Sequence, residues 1–250
     1  MKTFKHIIFT RFDVHSASAL DENWFQYRLG IFKKYTLESL LYQDTKDFAL
    51  WIRYCPDFFE QAKEFNTWLK ATMPFPVFFT TFENGEDHNT EELNDYVKDV
   101  DFVVETRVDS DDMYSNDAFT IIQSQELDEN QAYTFINGYL YRESTNRLYL
   151  YSGTSAPFYT MTYPMNVFID TKKKKAYFPF LPDPSKHPDC KILPEGKYLV
   201  IVHDKNSTGY SEAWVKKAGM QSSAMNNVQE SSTVIRNRDQ ILNSFKIWTK

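Results

Sequence analysis

Short apolar runs alternate with segments of helical spacing through the first 115 residues, and this alternation constrains the fold more than any other feature. The runs are residues 6–9, 48–54, 77–82 and 100–104. Between the first two, Trp24, Tyr27, Leu29, Phe32, Tyr35, Leu37, Leu40 and Leu41 recur at near-helical intervals within residues 21–42. Residues 58–71 have helical character and stop before Pro74 and Pro76, and residues 91–98 form a short acidic helix or turn. Strands separated by helices return to the same end before each pairing, so the order predicts a mostly parallel sheet covered by helices.

The fourth run leads into VDFVVETRVDSDD, residues 100–112. Asp109, Asp111 and Asp112 therefore stand just past the end of a buried strand. In open α/β sheets ligands bind at the carboxyl ends of the strands. Carboxylates this close repel unless a cation lies between them or one keeps its proton. Mg²⁺ or Mn²⁺ on a diphosphate is the simplest such cation, because hard ions take oxygen ligands from one or two carboxylates and from phosphates. The same spacing also suits an acidic turn in which Asp112 or Ser115 caps the next helix.

After residue 115 the pattern changes. A helix is expected over 117–127, then an aromatic antiparallel hairpin from 132–141 and 147–152. Residues 153–163 read as a polar and aromatic loop, 166–170 as a strand, and Lys172–Lys175 as a solvated hairpin tip. Five prolines make 179–194 irregular, and 197–202 form a last strand running into His203. Residues 211–220 suit a short helix, 221–233 are polar, and 234–248 suit a terminal helix. The expected organisation is a single α/β domain over 1–250. A parallel α/β half occupies 1–115, an antiparallel, aromatic half 116–220, and a polar segment and terminal helix 221–250.

Composition narrows the partners. A net charge of −6 argues against general nucleic-acid or anionic-membrane binding. The two cysteines, Cys55 and Cys190, match neither a zinc spacing nor a disulfide scaffold, so reduced thiols in the cytoplasm are expected. The apolar stretch near the N-terminus is too short for a signal-peptide core, and no stretch has the length of a membrane span. P-loop, GxGxxG, GxSxG and HExxH motifs are all missing, and the calcium-loop glycine is missing after Asp109-Ser110-Asp111.

Several blocks, in order, resemble a known family. Thr10-Arg11-Phe12 follows the first strand. Trp24, Arg28 and Phe32, then Tyr35, Ser39 and Gln43, form a first-helix pattern, and Phe48 and Trp51 mark the second strand. Thr106-Arg107-Val108-Asp109-Ser110-Asp111-Asp112 resembles a TRLDxDD signature, and YLVIVHDKNS, residues 198–207, resembles a late strand ending in His and then Asn. Together they resemble the rhamnosyltransferase family of bacterial and viral sugar-coat pathways, glycosyltransferases of GT-A fold with a DxD motif. Two positions depart from the pattern: Cys55-Pro56-Asp57 shifts the aspartate after the second strand, and Asp204-Lys205 stands where glycines often follow the histidine.

The resemblance implies a GT-A-like, mostly parallel sheet with a smaller antiparallel, aromatic-rich second half, and makes 1–115 the nucleotide-sugar-binding half and 116–220 the acceptor half. It implies metal ligation by Asp109, Asp111, Asp112 and His203, and donor binding by Thr10, Arg11, Phe12, Arg28, Asp57, Arg107 and Asp109. The expected cofactor is Mn²⁺ or Mg²⁺, the donor a UDP- or dTDP-sugar, and the acceptor a glycan or lipid-linked glycan. Asp170, Asp183, His187 and Asp189 are candidates for the base that takes the acceptor proton, with Asp170 and His187 put forward. Arg107 could equally be pinned by the neighbouring aspartates, and each base candidate equally suits a surface loop. A nucleotidyltransferase acting on sugar phosphates and a non-catalytic nucleotide-sugar-binding module are the alternatives.

Overall fold

The computed structural model describes residues 2–12, 22–153, 158–177, 189–203 and 228–247. In chain order the elements open with β1 (Phe4–Phe12) and α1 (Glu22–Phe32), a π-helical turn (Lys33–Leu37) and α2 (Glu38–Leu41). They continue through β2 (Ala49–Tyr54), α3 (Pro56–Gln61), α4 (Lys63–Thr72), β3 (Val77–Glu83), β4 (Glu86–His88), α5 (Glu91–Val97) and β5 (Phe102–Arg107). Then come β6 (Met113–Tyr114), α6 (Ala118–Gln123), β7 (Ala132–Phe135), β8 (Gly138–Arg142), β9 (Arg147–Tyr151), β10 (Tyr159–Pro164), α7 (Met165–Phe168) and α8 (Thr171–Tyr177). The last are β11 (Cys190–Leu193), β12 (Tyr198–Val202), β13 (Val228–Gln229) and two short helices, Ser232–Arg236 and Arg238–Ser244.

The expected parallel core is present. The large sheet has the order β11-β7-β10-β5-β1-β2-β3-β4. β5, β1, β2 and β3 run parallel, β10 lies antiparallel between β5 and β7, and β4 is an antiparallel edge. Both faces are buried, as crossover helices require. One face carries Ile8, Phe12, Leu50, Ile52, Phe102 and Val104 against helix residues Phe25, Phe32, Leu40, Phe58 and Phe119. The other carries Ile7, Phe9, Trp51, Val103 and Met161 against Leu93, Val97 and Phe168. This is a GT-A-like α/β fold, completed by a smaller sheet of order β13-β9-β8-β12-β6.

The second half differs from the sequence reading in several places. Residues 190–193, inside the stretch read as irregular, form β11 and pair parallel with β7. The hairpin is β8–β9 alone; β7 leaves it at Asn137, whose φ of 51° turns the chain, and joins the large sheet. Residues 159–164, read as loop, form β10. Tyr159, Met161 and Tyr163 face one core, while Thr160 bonds Thr106 across the strand pair at 2.7 Å and Thr162 accepts from Gln131 N at 2.8 Å. Residues 166–170, read as a strand, are mostly α7. Phe168 is buried and Ile169 is 42% exposed, so the apolar run presents one face only. Lys172–Lys175 belong to α8. Lys172 pairs with Glu86, Lys174 with Glu105, and Lys175 donates to Gly85 O, which fastens α8 beneath the sheet to β5 and the β3–β4 hairpin. Residues 211–220 lie outside the described residues.

Gly138 is required by close packing rather than by its turn. A Cβ there would stand 2.3 Å from Cε2 of Tyr198, a fully buried ring stacked on Phe158 at 4.5 Å. Tyr198 is also held by its hydroxyl, which donates to Gly153 O at 2.8 Å. Overpacking of this kind costs about 1–3 kcal/mol. Gly138→Ala is expected to lower unfolding free energy by about 3 kcal/mol, read as a lower urea midpoint; an unchanged midpoint would show that the ring moves aside freely.

Candidate active site

The short loop from Val108 to Asp112 passes from one sheet to the other. It leaves the carboxyl end of β5, and directly after it β6 pairs antiparallel with β12, with Met113 opposite Leu199. Continuing that register sets Ile201 level with Asp111 and brings His203, just past β12, alongside the loop. The π-helical turn supplies the other wall. Its extra residue per turn buries Tyr35, Thr36 and Leu37 in succession. Thr36 Oγ1 donates to Asp109 O at 3.3 Å, and Gln43 Nε2 donates to Ser115 O at 2.8 Å. Thr36 thus braces the acidic loop, and Gln43, part of the first-helix pattern, holds the segment that follows β6.

The three aspartates have three different environments. Asp111 is buried, and its Oδ2 accepts from Arg28 Nη1 at 2.8 Å and lies 3.2 Å from His203 Nε2. Arg28 Nε donates to Ser110 Oγ at 3.0 Å, and Arg28 Nη1 lies 3.4 Å from His203 Nε2. Tyr27 Oη lies 3.2 Å from His203 Nδ1. The tautomer protonated at Nε2 donates to Asp111 and leaves Nδ1 to accept from Tyr27. Burial opposes the charge of Asp111, yet Arg28 and His203 outweigh it and hold the carboxyl below its usual range. Asp112 goes the other way. Burial first, then the charges of Asp111 and Asp109, push its carboxyl well above that range, while Oδ1 accepts from Ile201 N at 3.0 Å. Asp109 is the most open of the three and pairs with Arg107 Nη2 at 2.9 Å.

These contacts remove the acidic-turn alternative: neither the Asp112 nor the Ser115 side chain caps α6, since Asp112 bonds β12, the Ser115 hydroxyl donates to Asp117, and Phe119 N in the first turn of α6 donates to Gln43 Oε1 at 3.3 Å. They also redistribute the expected ligands. Asp111 and His203 converge, whereas Asp109 turns to Arg107 and Asp112 to the backbone. Among the described residues no three His, Cys, Asp or Glu side chains are grouped so as to hold a metal ion. Asp111 and His203 would suit one once His203 carries its proton on Nδ1 and Arg28 has left Asp111 Oδ2. Ligand atoms at right angles on bonds of about 2.1 Å stand about 3 Å apart, close to the 3.2 Å between Oδ2 and Nε2. Such an ion would take two protein ligands and draw the rest from phosphate and water.

The donor-site candidates divide similarly. Arg11, Arg53 and Arg107 lie on one face at the carboxyl ends of adjacent strands: Arg11 is opposite Arg53, and Arg107 opposite Phe9. Arg53 lies over the Phe9 and Phe82 rings, and Arg107 over Tyr159. Thr10 is fully buried, and its Oγ1 has no hydrogen-bond partner among the described residues. Phe12 is core, in ring contact with Phe25, Phe32 and Tyr54, which corrects its expected role in donor binding: a fully buried ring offers no surface to a ligand. Asp57 is exposed in the first turn of α3. Asp170 stands at the start of α8, where Oδ1 accepts from Lys172 N and Lys173 N, both at 3.0 Å. It lines a 590 Å³ cavity with Glu86, Asp87 and Asn166, and its contacts are with α8 rather than with the aspartate loop. His187 lies outside the described residues.

Three residues of the cluster had no role assigned from sequence. Tyr27 and Ser110 orient His203 and Arg28. Glu143, after β8, is bound by Lys34; burial raises its carboxyl, but Lys34, Tyr35 and His203 together lower it. Tyr27 and Ser110 are sequence neighbours of Arg28 and Asp111, which is a usable signal. Glu143 has none, since it arrives only through the pairing of β8 with β12.

The family sequence model described as putative rhamnosyl transferase matches residues 3–211. The chain belongs to that family. The match spans β1, the acidic loop, β12 and His203. No curated protein matches significantly. Similar solved structures include S. aureus TarS 1–349, with 14% identity over 96% of this chain and 70% of that one, and a TM-score of 0.42. Another is a putative nucleotide-diphospho-sugar transferase from Desulfovibrio desulfuricans G20, with 13% identity over 99% of this chain and 100% of that one, and a TM-score of 0.38. A third is a putative glucose-1-phosphate thymidylyltransferase from Bacillus anthracis, with 10% identity over 78% and 88% of the two chains, and a TM-score of 0.40. Likeness this distant says nothing about chemistry. Membership of the rhamnosyl transferase family supports a nucleotide-sugar transferase in the broad sense, glycosyl or nucleotidyl. No helix among the described residues is long and apolar enough to cross a membrane.

Proposed function

We propose that this rhamnosyl transferase family member is a glycosyltransferase. It moves a sugar, rhamnose by the family description, from a nucleoside diphosphate to a glycan or lipid-linked acceptor, with Mn²⁺ or Mg²⁺ held by Asp111 and His203. The observation that carries the reading is the meeting of those two side chains, 92 positions apart, at the buried seam of two sheets and beside a row of arginines. A divalent cation there would offset the charge that develops on the diphosphate leaving group. The chain's own residues do the rest. Arg11 and Arg107 hold phosphate oxygens through guanidinium contacts. Asp109 exchanges its Arg107 pairing for the donor ribose or the ion, and Tyr27 fixes the His203 ring. The acceptor proton passes to a positioned base, with His187 as the candidate, since Asp170 is engaged by the start of α8.

Calorimetry with UDP and dTDP, with and without Mn²⁺, tests this reading, followed by transfer assays with nucleotide sugars. Nucleotide binding that strengthens with metal is expected, and His203→Ala should weaken the metal effect by about 10-fold while leaving some of it. Full metal dependence in that variant removes His203 from the ligand set. Metal-dependent diphosphate binding without sugar release or transfer would favour the binding module instead.

A further inference from the structure

We propose that Arg28 is a tethered counter-ion that keeps the Asp111–His203 pair closed to free metal, so that metal and diphosphate bind together. The inference rests on the reading of Asp111 and His203 as the cation site. The guanidinium Nη1 stands 2.8 Å from Asp111 Oδ2 and 3.4 Å from His203 Nε2, the two atoms a metal would need. The three side chains are 8%, 9% and 1% exposed, so water screens their charges little. Nε is anchored separately on Ser110 Oγ, which aims the guanidinium at this point.

A metal ion on Oδ2 and Nε2 cannot share that space with Nη1, since two cations so close in a buried site repel strongly. The guanidinium must therefore leave Asp111. Leaving without a new anion would strand a buried positive charge. A diphosphate supplies that anion, because guanidinium and phosphate make paired, charge-assisted hydrogen bonds. Arg28 then exchanges a carboxylate for phosphate while the metal takes the carboxylate. Linkage makes the effect reciprocal: nucleotide tightens metal by the factor by which metal tightens nucleotide.

Mn²⁺ binding, followed by electron paramagnetic resonance of the free ion, tests this directly and needs no turnover. The wild-type protein should bind Mn²⁺ weakly alone and about 10-fold or more tightly with saturating UDP or dTDP, a typical coupling range. Arg28→Gln should bind Mn²⁺ alone about 10-fold more tightly than wild type and gain little from nucleotide. Ser110→Ala, which loosens the anchor without touching a ligand, should shift the same way by a smaller factor, and it decides the question if Arg28→Gln does not fold. Tight wild-type binding of Mn²⁺ alone overturns the inference. So does an Arg28→Gln protein no tighter than wild type while nucleotide-dependent Mn²⁺ binding persists and is lost in Asp111→Asn; in that case the cation site itself stands. Absence of Mn²⁺ binding in every variant, with either nucleotide, removes both.

Discussion

Asp111→Asn is expected to abolish metal-dependent nucleotide binding while the protein remains folded. Partners that only orient a ligand are worth about 10–100-fold in metal affinity, so removal of a direct carboxylate should cost about 100-fold or more. The substitution also touches stability, because Arg28 is buried against Asp111. Breaking a buried pair costs about 3–5 kcal/mol. Asparagine still offers a carbonyl oxygen to Nη1, which places the expected loss at the lower end of that range. Calorimetry with UDP and Mn²⁺ below the measured melting temperature separates the two effects. Nucleotide affinity that keeps its metal dependence in a folded Asp111→Asn protein would end the assignment of the acidic loop as the cation site.

Glu105→Ala should be among the most destabilising single changes away from the site. Glu105 lies in the middle of β5 with its side chain 4% exposed, and it is paired with Lys174 of α8. The ammonium sits 4.5 Å from the centres of the Trp51 and Phe168 rings. Those faces attract a cation, at about 2 kcal/mol when desolvated, but they do not replace a carboxylate. Loss of about 3–5 kcal/mol is expected, or roughly 10 °C in Tm for a chain of this length. Glu105→Leu with Lys174→Met should recover most of it, since apolar replacement of both partners is often near neutral. Urea unfolding of the two single variants and the double variant gives the coupling directly. An additive cycle would mean that the pair is merely adjacent.

Much of the site was legible because its residues are local in sequence. Residues 106–112 carry their carboxylates at the end of a strand whose apolar run announces it, and His203 ends another such run. Arg28 was legible as a candidate, but not as the partner of Asp111. Helical spacing says which face a residue takes and not what meets that face. The errors in the second half have a similar cause. The Tyr-Thr-Met-Thr-Tyr alternation of β10 carries a strand signal, yet the preceding Gly153 and Pro157 made the segment read as loop. Lys172–Lys175 read as solvated because a run of charge usually is; only the packing of α8 under the sheet shows Lys174 enclosed by rings and Glu105.

By itself the sequence determined the parallel core, through runs of apolar residues long enough for strands and separated by helical spacing. It also placed three acidic groups where such a core ends. Tertiary structure alone decided how those acids divide their work. The pairing of β6 with β12 carries His203 to Asp111, and the docking of α1 sets Arg28 against both. The partners of Asp111 and the strand that buries Asp112 lie tens of positions away, and spacing along a chain holds no record of those distances.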